Sequence, residues 1–381
     1  MRNDTFNIYI LYVILILSLP IYLFWGQETI IKLIVGVCSL IFILKNNLKI
    51  AKKESLIFIL TTFYIFYSSF PRVEGKWGLL NFAYCSLLYF FFTDKHKSLA
   101  FESLRKIFSY IFLFGIVAYI LVILNVISPI EVIRNEIRNT NYFVYPFFIL
   151  EDLAYGHPIY EFGLFRFNSI FDEPGFVGTI CAIFLLCDFD LNKRCNKIFF
   201  CTGILSFSLA FWVLFIFTLL IKYKSFKNIV VLSFILLIIH LCFYEILETI
   251  IYSRLSLENG HISGDNRIAY NFEKAFDSFW NSNNLLFGMG NVAHQNFPGS
   301  STYKSIIYNH GLFGFFIYML IFAIIAFRKM NKSVFLFWVV FMINIYQRPY
   351  SMSLITFVML YYGIKNNCIN GKNINSNTSL Q

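Results

Sequence analysis

Apolar runs long enough to cross a membrane recur from one end of this 381-residue chain to the other. A membrane-spanning helix needs about 20 predominantly apolar residues. Only 14% of the residues are charged, whereas a soluble domain carries about 25%. The first run, from Ile8 to Trp25, is too long for the apolar core of a signal peptide and no small-residue cleavage site follows it. The pattern predicts a polytopic membrane protein whose first span is retained.

Most lysines lie in short clusters between the apolar runs. The clusters are Lys45–Lys53, Lys193–Lys197, Lys222–Lys227 and Lys329–Lys332. Short basic turns of this kind are typical of the cytoplasmic side of membrane proteins. Topology therefore accounts for the formal net charge of +10, and we expect a lipid bilayer, not a nucleic acid, as the surrounding partner.

The eight cysteines predict neither disulfides nor a zinc site. They lie in apolar runs, in one short basic turn and near the C-terminus, and none lies in a long polar loop. No two of them have the C-x-x-C spacing of a metal site. We expect no metal and no cofactor.

Placing every basic cluster inside predicts an all-α transmembrane bundle of about twelve spans with both termini cytoplasmic. A hairpin broken near Ser206-Phe207-Ser208 is preferred to a single span there, because a single span would put the next lysines outside. The predicted spans are residues 8–25, 29–44, 55–70, 77–93 and 107–129, one span beginning at Pro174, two short passes in 198–221, and residues 228–245, 306–327, 333–347 and 351–364.

The whole chain, residues 1–381, is then a single integral membrane domain with two long loops on the outer face. These loops are residues 130–173 and 246–305, and residues 365–381 form a cytoplasmic tail. Within the second loop, apolar residues from Ile268 to Trp280 recur at helical spacing, which predicts a helix lying on the membrane with its aromatic face down. Gly288-Met289-Gly290 is interpreted as a tight turn, because two glycines alone are weak evidence for a phosphate-binding loop.

Arginines are concentrated on the predicted outer side. The outer arginines are Arg72, Arg134, Arg138, Arg166, Arg254, Arg267 and Arg348. A guanidinium never deprotonates and binds phosphate oxygens through two parallel hydrogen bonds, so outer-face arginines point to an anionic ligand. Ordinary ion pairs with loop carboxylates are the alternative for any single one. For the set of Arg166, Arg254 and Arg267 we favour an anion-binding function.

The outer region also contains candidates for a general base. Histidine titrates near neutral pH, so His294 and His310 are candidates, as are His157 and His261. Glu173 is another, because a carboxyl group close to hydrocarbon has a raised pKa and is a stronger base. The alternatives are a helix cap for Glu173, which precedes Pro174, and surface histidines with no catalytic role.

The order of the polar motifs resembles the O-antigen polymerase (Wzy) family, which is related to the O-antigen ligases (WaaL). The resemblance covers roughly residues 160–320, and the twelve-span arrangement agrees over the whole chain. The motifs are Arg166-(x)4-Phe171-Asp172-Glu173-Pro174-Gly175, Ser206-Phe207-Ser208-Leu209-Ala210, Ser253-Arg254, Gly264-Asp265-Asn266-Arg267, Leu286-Phe287-Gly288-Met289-Gly290 and Asn309-His310-Gly311-Leu312-Phe313-Gly314.

The resemblance implies a GT-C-like glycosyltransferase of the bacterial inner membrane. Its family transfers a growing glycan from undecaprenyl diphosphate to the next lipid-linked repeat unit at the periplasmic face, without a metal. The implied partners are these lipid-linked oligosaccharides, with a chain-length regulator and a flippase of the same pathway. The resemblance assigns the diphosphate to Arg166, Arg254 and Arg267, and it leaves the base among Glu173, His294 and His310.

Two other functions stay open. Ligases carry a His-Asn pair where this chain reads Gly299-Ser300-Ser301, which favours a polymerase over a ligase. A flippase or transporter of the same lipid-linked glycans would show charged residues within its spans, whereas the polar residues here are concentrated in the two outer loops.

Overall fold

The computed structural model describes residues 2–74, 82–135, 140–156, 158–223, 270–297, 302–347 and 352–378, with a few positions between 241 and 262. The chain divides into two compact units, Met1–Ile107 with Arg267–Gln381 and Phe108–Asn266. Most described residues are helical. The α-helices are α1 Arg2–Leu17, α2 Glu28–Lys45, α3 Lys52–Ser69, α4 Leu88–Phe91, α5 Asp94–Ile123, α6 Pro174–Cys187, α7 Arg194–Leu205, α8 Leu209–Lys222, α9 Tyr270–Trp280, α10 Tyr303–Phe327, α11 Lys332–Gln347 and α12 Leu354–Thr378.

Two helices in the described part of the chain, α5 and α10, are long and apolar enough to cross a membrane. The apolar helices α6 and α8 have 14 residues each. At 1.5 Å per residue such a helix is about 21 Å long, less than the roughly 30 Å of a hydrocarbon core. The arrangement of about twelve spans is therefore not confirmed.

The predicted span at residues 77–93 is not a continuous helix where it is described. Phe82–Leu87 form a 3-10 helix, and α4 adds four residues. Phe92 and Thr93 are not helical and α5 begins at Asp94, so the described residues 82–93 do not form one helix long enough to cross a bilayer. At the other end of the chain, α12 continues to Thr378, so residues 365–378 continue the preceding helix.

The predicted break between α7 and α8 is confirmed. Ser206 is the C-cap of α7, Phe207 has a positive φ of 45°, and Ser208 precedes α8. The break packs against the start of α6, because a Cβ on Gly178 would lie 2.5 Å from Ser208 Cβ. Helix α6 begins at Pro174 as predicted, since proline has no N–H to leave unpaired in a first helical turn.

A three-stranded antiparallel sheet corrects the all-α prediction. Its strands are β1 Glu131–Asn135, β2 Thr140–Tyr145 and β3 Phe148–Glu151, in the order β1-β2-β3. Tyr142 and Val144 of β2 are buried, whereas Asn141 is exposed. Alternating burial of aromatic and β-branched residues stabilises a strand. This alternation was visible in the sequence and could have predicted the sheet.

Helix α9 forms where the amphipathic pattern predicts it, but protein covers its aromatic face. Phe272, Phe276 and Phe279 are buried in a cluster with Tyr308 of α10. The Phe272 and Phe279 rings lie 5.3 Å and 5.1 Å from the Tyr308 ring. Burying each phenylalanine contributes about 1.5–3 kcal/mol. The prediction that this face lies on the membrane is therefore wrong.

Helices α3 and α10 run antiparallel and are joined at both ends. At one end Glu54 binds Arg328 Nη1 at 2.7 Å and Lys97 Nζ at 2.9 Å. The buried Lys97 also lies 4.1 Å from the centre of the Tyr89 ring. An ion pair with these additional contacts satisfies the buried charges. At the other end, Tyr67 of α3 contacts His310 of α10.

Candidate active site

Helix α10 is interrupted at its predicted outer end. Gly311 has φ 68° and ψ 179°, which is not helical. The break leaves backbone groups without helical partners, and the segment before α10 supplies replacements. The Leu312 N–H donates to Leu285 O at 2.9 Å, and the Phe313 N–H donates to Leu286 O at 3.1 Å. The backbone N–H groups at the interruption therefore have hydrogen-bond partners, as buried polar groups must.

The Gly288-Met289-Gly290 turn completes this pairing from the other direction. The Met289 N–H donates to Tyr308 O at 2.8 Å, and the Gly290 N–H donates to Asn309 O at 2.9 Å. Two N–H groups that would face an anion in a phosphate-binding loop are thus already bonded. The geometry fits the tight turn expected from the sequence.

Arg72 and Tyr67 extend from the end of α3 to this break. The Tyr67 hydroxyl lies 2.7 Å from His310 O and 3.0 Å from Phe287 O, and shares its proton between them. Arg72 donates from Nη1 to Asn309 O and from Nη2 to Tyr67 O, both at 2.9 Å. Its guanidinium lies 4.1 Å from the centre of the Tyr67 ring. Stacking and two hydrogen bonds hold the half-buried cation in one orientation.

His294 is bound on two sides by Asn309. The His294 backbone N–H donates to Asn309 Oδ1 at 3.0 Å, which fixes the orientation of the amide. Asn309 Nδ2 can only donate, and it lies 2.8 Å from His294 Nδ1. Nδ1 must therefore accept, and in the neutral ring the proton lies on Nε2. His294 is held as a hydrogen-bond donor, which argues against a role as general base.

His310 has no such constraint. Its Nδ1 is buried and has no hydrogen-bond partner among the described residues. The ring packs edge-on against Tyr64, with centroids 5.9 Å apart. Both His294 and Arg72 lie close enough to His310 to act on it electrostatically. The two histidine candidates are thus brought into one cluster, and His310 is the one whose Nδ1 no described side chain occupies.

The state of His294 predicts a pH effect on stability. Burial lowers the pKa of His294 below its usual value. Between the ordinary value of about 6.5 and the lower folded-state value, the unfolded chain binds a proton that the folded chain does not. Stability from this group is therefore present above about pH 6.5 and is lost as the pH falls through the folded-state value. We expect acidification from about pH 7.5 to 5 to lower the Tm of the wild type more than that of His294→Gln, in thermal unfolding followed in detergent.

Arg166 lies in the other unit, at the α7–α8 break. Its Nε donates to Ser206 O at 3.4 Å, and its Nη2 donates to Phe207 O at 3.5 Å. Carbonyl groups at the C-terminal end of a helix carry partial negative charge and attract cations. The Arg166 and Ser206-Phe207-Ser208 motifs are therefore adjacent, and Arg166 contributes to holding the break.

Glu173 occupies the residue before α6. It has extended backbone angles, φ −138° and ψ 133°, and its side chain makes no capping hydrogen bond. The residue is partly buried. Glu173 remains a candidate base, in the unit that contains Arg166.

Three candidates lie outside the described residues: Arg254, Arg267 and His157. The backbone of His261 lies in a two-residue strand, Leu257–Glu258 paired with His261–Ile262, and nothing is described of its side chain. Whether Arg254 and Arg267 approach Arg166 therefore stays a prediction.

Sequence reasoning overlooked three residues of the α10 cluster: Tyr67, Arg72 and Asn309. Arg72 was among the outer arginines but outside the proposed set, and Asn309 was only the first residue of a motif. A proline and an arginine directly after an apolar run, in Pro71-Arg72, were the available signal. In the described part of the chain, no group of three or more His, Cys, Asp or Glu side chains could hold a metal ion.

No protein-family model, no curated protein and no solved structure matches the chain. The function is therefore inferred from the side chains at the break of α10 and at the break between α7 and α8.

Proposed function

We propose that the chain is a metal-independent glycosyltransferase of the bacterial inner membrane, an O-antigen polymerase. It joins undecaprenyl-diphosphate-linked repeat units into long polysaccharide at the periplasmic face. The observation that carries the proposal is the polar cluster at the break of α10, a helix of membrane-spanning length and composition. Titratable groups beside hydrocarbon cost free energy, and for that reason those that are present commonly mark substrate sites in membrane proteins.

The two ends of the α3–α10 pair support the proposed orientation. Glu54, Lys97 and Arg328 form ion pairs at one end, next to the lysine-rich segments assigned to the cytoplasm. The histidine cluster lies at the opposite end of the same two helices. Basic turns inside and a polar reaction site outside agree with the rule that positive residues stay cytoplasmic.

The reaction needs a base and a binding site for the leaving group. The base takes the proton of the acceptor sugar hydroxyl, whose oxygen then bonds to the anomeric carbon of the donor glycan. The bond from that carbon to the diphosphate breaks, and undecaprenyl diphosphate leaves with the electron pair. We assign the base to His310, because its Nδ1 lacks a partner among the described residues. Arg166, Arg254 and Arg267 remain the proposed ligands of the diphosphate.

Deletion of the gene in a strain with a known surface polysaccharide tests the function. A polymerase deletion leaves one repeat unit on the lipid core, which a polysaccharide gel resolves as a single short band. A bare core would instead identify a ligase. Repeat units accumulating inside the cell would identify a flippase, and a normal ladder of chain lengths would contradict all three.

A further inference from the structure

The Arg72 side chain is oriented for a ligand that the described protein does not supply. A guanidinium has five N–H donors, and Arg72 uses one for Asn309 O and one for Tyr67 O. Among the described residues, no carboxylate lies within ion-pair distance of Arg72. Within the described residues, three N–H donors are therefore left on a planar group whose orientation is already determined.

The surroundings of Arg72 make an unbalanced charge costly. The side chain is half-buried, and burial lowers the pKa of Arg72 from its usual value. An arginine nevertheless stays protonated at neutral pH, so its charge needs compensation. The nearest acidic residue along the chain is Glu74, which is exposed and accepts a hydrogen bond from Asn296 at 3.4 Å. An anion that enters from outside would supply the missing counter-charge.

Asn309 links Arg72 to His294. Arg72 binds the Asn309 main-chain oxygen, and His294 binds the Asn309 side-chain amide. The Nε2–H of His294 is a neutral donor, because Nδ1 is occupied by Asn309. A cation with a fixed plane and a neutral N–H donor are the groups that phosphate oxygens accept from.

We propose that Arg72 binds a phosphate group of an isoprenoid diphosphate at the break of α10, with His294 as a second donor. The proposal rests on the proposed function, since it names the ligand of the same cluster. It assigns a phosphate ligand within the unit that contains α3 and α10. The fixed guanidinium binds the diphosphate before reaction and compensates its charge as the anomeric bond breaks.

Binding of farnesyl diphosphate to the purified full chain tests this assignment. The protein is placed in nanodiscs of phosphatidylcholine, and the dissociation constant is measured for the wild type, Arg72→Gln, Arg72→Lys and Arg134→Gln. Arg134 is an exposed arginine of β1, so its variant loses the same charge elsewhere. We expect Arg72→Gln to bind about 10–100-fold more weakly and Arg134→Gln to bind as the wild type does.

Arg72→Lys is the control for misfolding, because a lysine retains the charge and can still donate a hydrogen bond to a carbonyl. We expect it to bind more tightly than Arg72→Gln and more weakly than the wild type, since it lacks the planar fork. Unfolding without ligand is measured for each variant. Equal dissociation constants for the wild type and both Arg72 variants would overturn the proposal.

A second arm distinguishes the isoprenoid diphosphate from an anionic headgroup of the bilayer. Titrations are repeated in nanodiscs that contain phosphatidylglycerol and with inorganic pyrophosphate as competitor. Competition by pyrophosphate but not by phosphatidylglycerol supports a diphosphate site, whereas competition by phosphatidylglycerol alone overturns it in favour of a phospholipid. Loss of binding in Arg72→Gln together with a normal ladder in the deletion strain would retain the site and remove the polymerase function. Unchanged binding in Arg72→Gln together with a single-repeat phenotype in the deletion strain would remove the site and retain the polymerase function.

Discussion

Replacing His310 with glutamine is expected to reduce polymerisation about 10²–10⁴-fold, the contribution typical of a general base. Glutamine is close in size to histidine but cannot take a proton at neutral pH. Folding should be retained, because His310 Nδ1 has no hydrogen-bond partner among the described residues and the ring packs against Tyr64. The measurement is polymer formed per unit time by the purified variant from lipid-linked repeat units, with thermal unfolding as the check on folding.

His294→Gln is the matched control. Asn309 holds His294 as a donor, so its loss removes one hydrogen bond and costs a smaller factor, about 10-fold. The assignment of the base to His310 would be contradicted if His310→Gln stayed active. It would be contradicted most directly if His294→Gln then showed the large loss of activity expected for His310→Gln. Wild-type rates in both variants would remove the base from this cluster and leave Glu173 as the remaining described candidate.

Replacing Gly311 with alanine should destabilise the unit formed by residues 1–107 and 267–381 by about 2–5 kcal/mol. Two effects add. A positive φ of 68° is unfavourable for any residue with a Cβ, and a Cβ there would lie 2.3 Å from Leu286 O, which is backbone and cannot rotate away. Gly288 faces the same restriction from the other side, with Asn309 O at 2.4 Å.

Gly26 separates the two effects, because its φ is 77° and nothing lies within 4 Å of a Cβ built on it. Gly26→Ala should therefore cost only the backbone strain, about 1–2 kcal/mol. Thermal unfolding of both variants in the same detergent gives the comparison. Equal losses of stability for the two would contradict the larger loss expected at Gly311, where crowding by Leu286 adds to the backbone strain.

Local signals predicted much of the helical structure. Pro174 marked the start of α6, Ser206-Phe207-Ser208 marked the break before α8, and the spacing of Phe272, Phe276 and Phe279 marked α9. Each prediction uses residues within a few turns of one another, where backbone preference and periodicity act directly. The covering of the α9 face was not predictable in this way. An aromatic face has the same spacing whether lipid or protein covers it.

The sheet shows a different limit of sequence reasoning. Residues Thr140–Tyr145 alternate as a strand does, but they lie between apolar helices, within residues 130–173, which the sequence predicts as a loop. Pairing of Tyr145 with Phe148 across a two-residue turn, with Phe147 at a positive φ of 57°, stabilises the strands locally. A search for the two-residue alternation of a β-strand would have identified these strands.

The sequence by itself determined the helical character of this protein, its basic turns and the residue types available to the site. Tertiary structure alone decided which of them meet. Arg72 and Asn309 are 237 positions apart, and Tyr67 and His310 are 243 apart. Only the antiparallel packing of α3 on α10, with the backbone break at Gly311, brings them within hydrogen-bond distance. Hydrogen bonds act over about 3 Å and depend on three-dimensional geometry, of which periodicity along the chain carries no record.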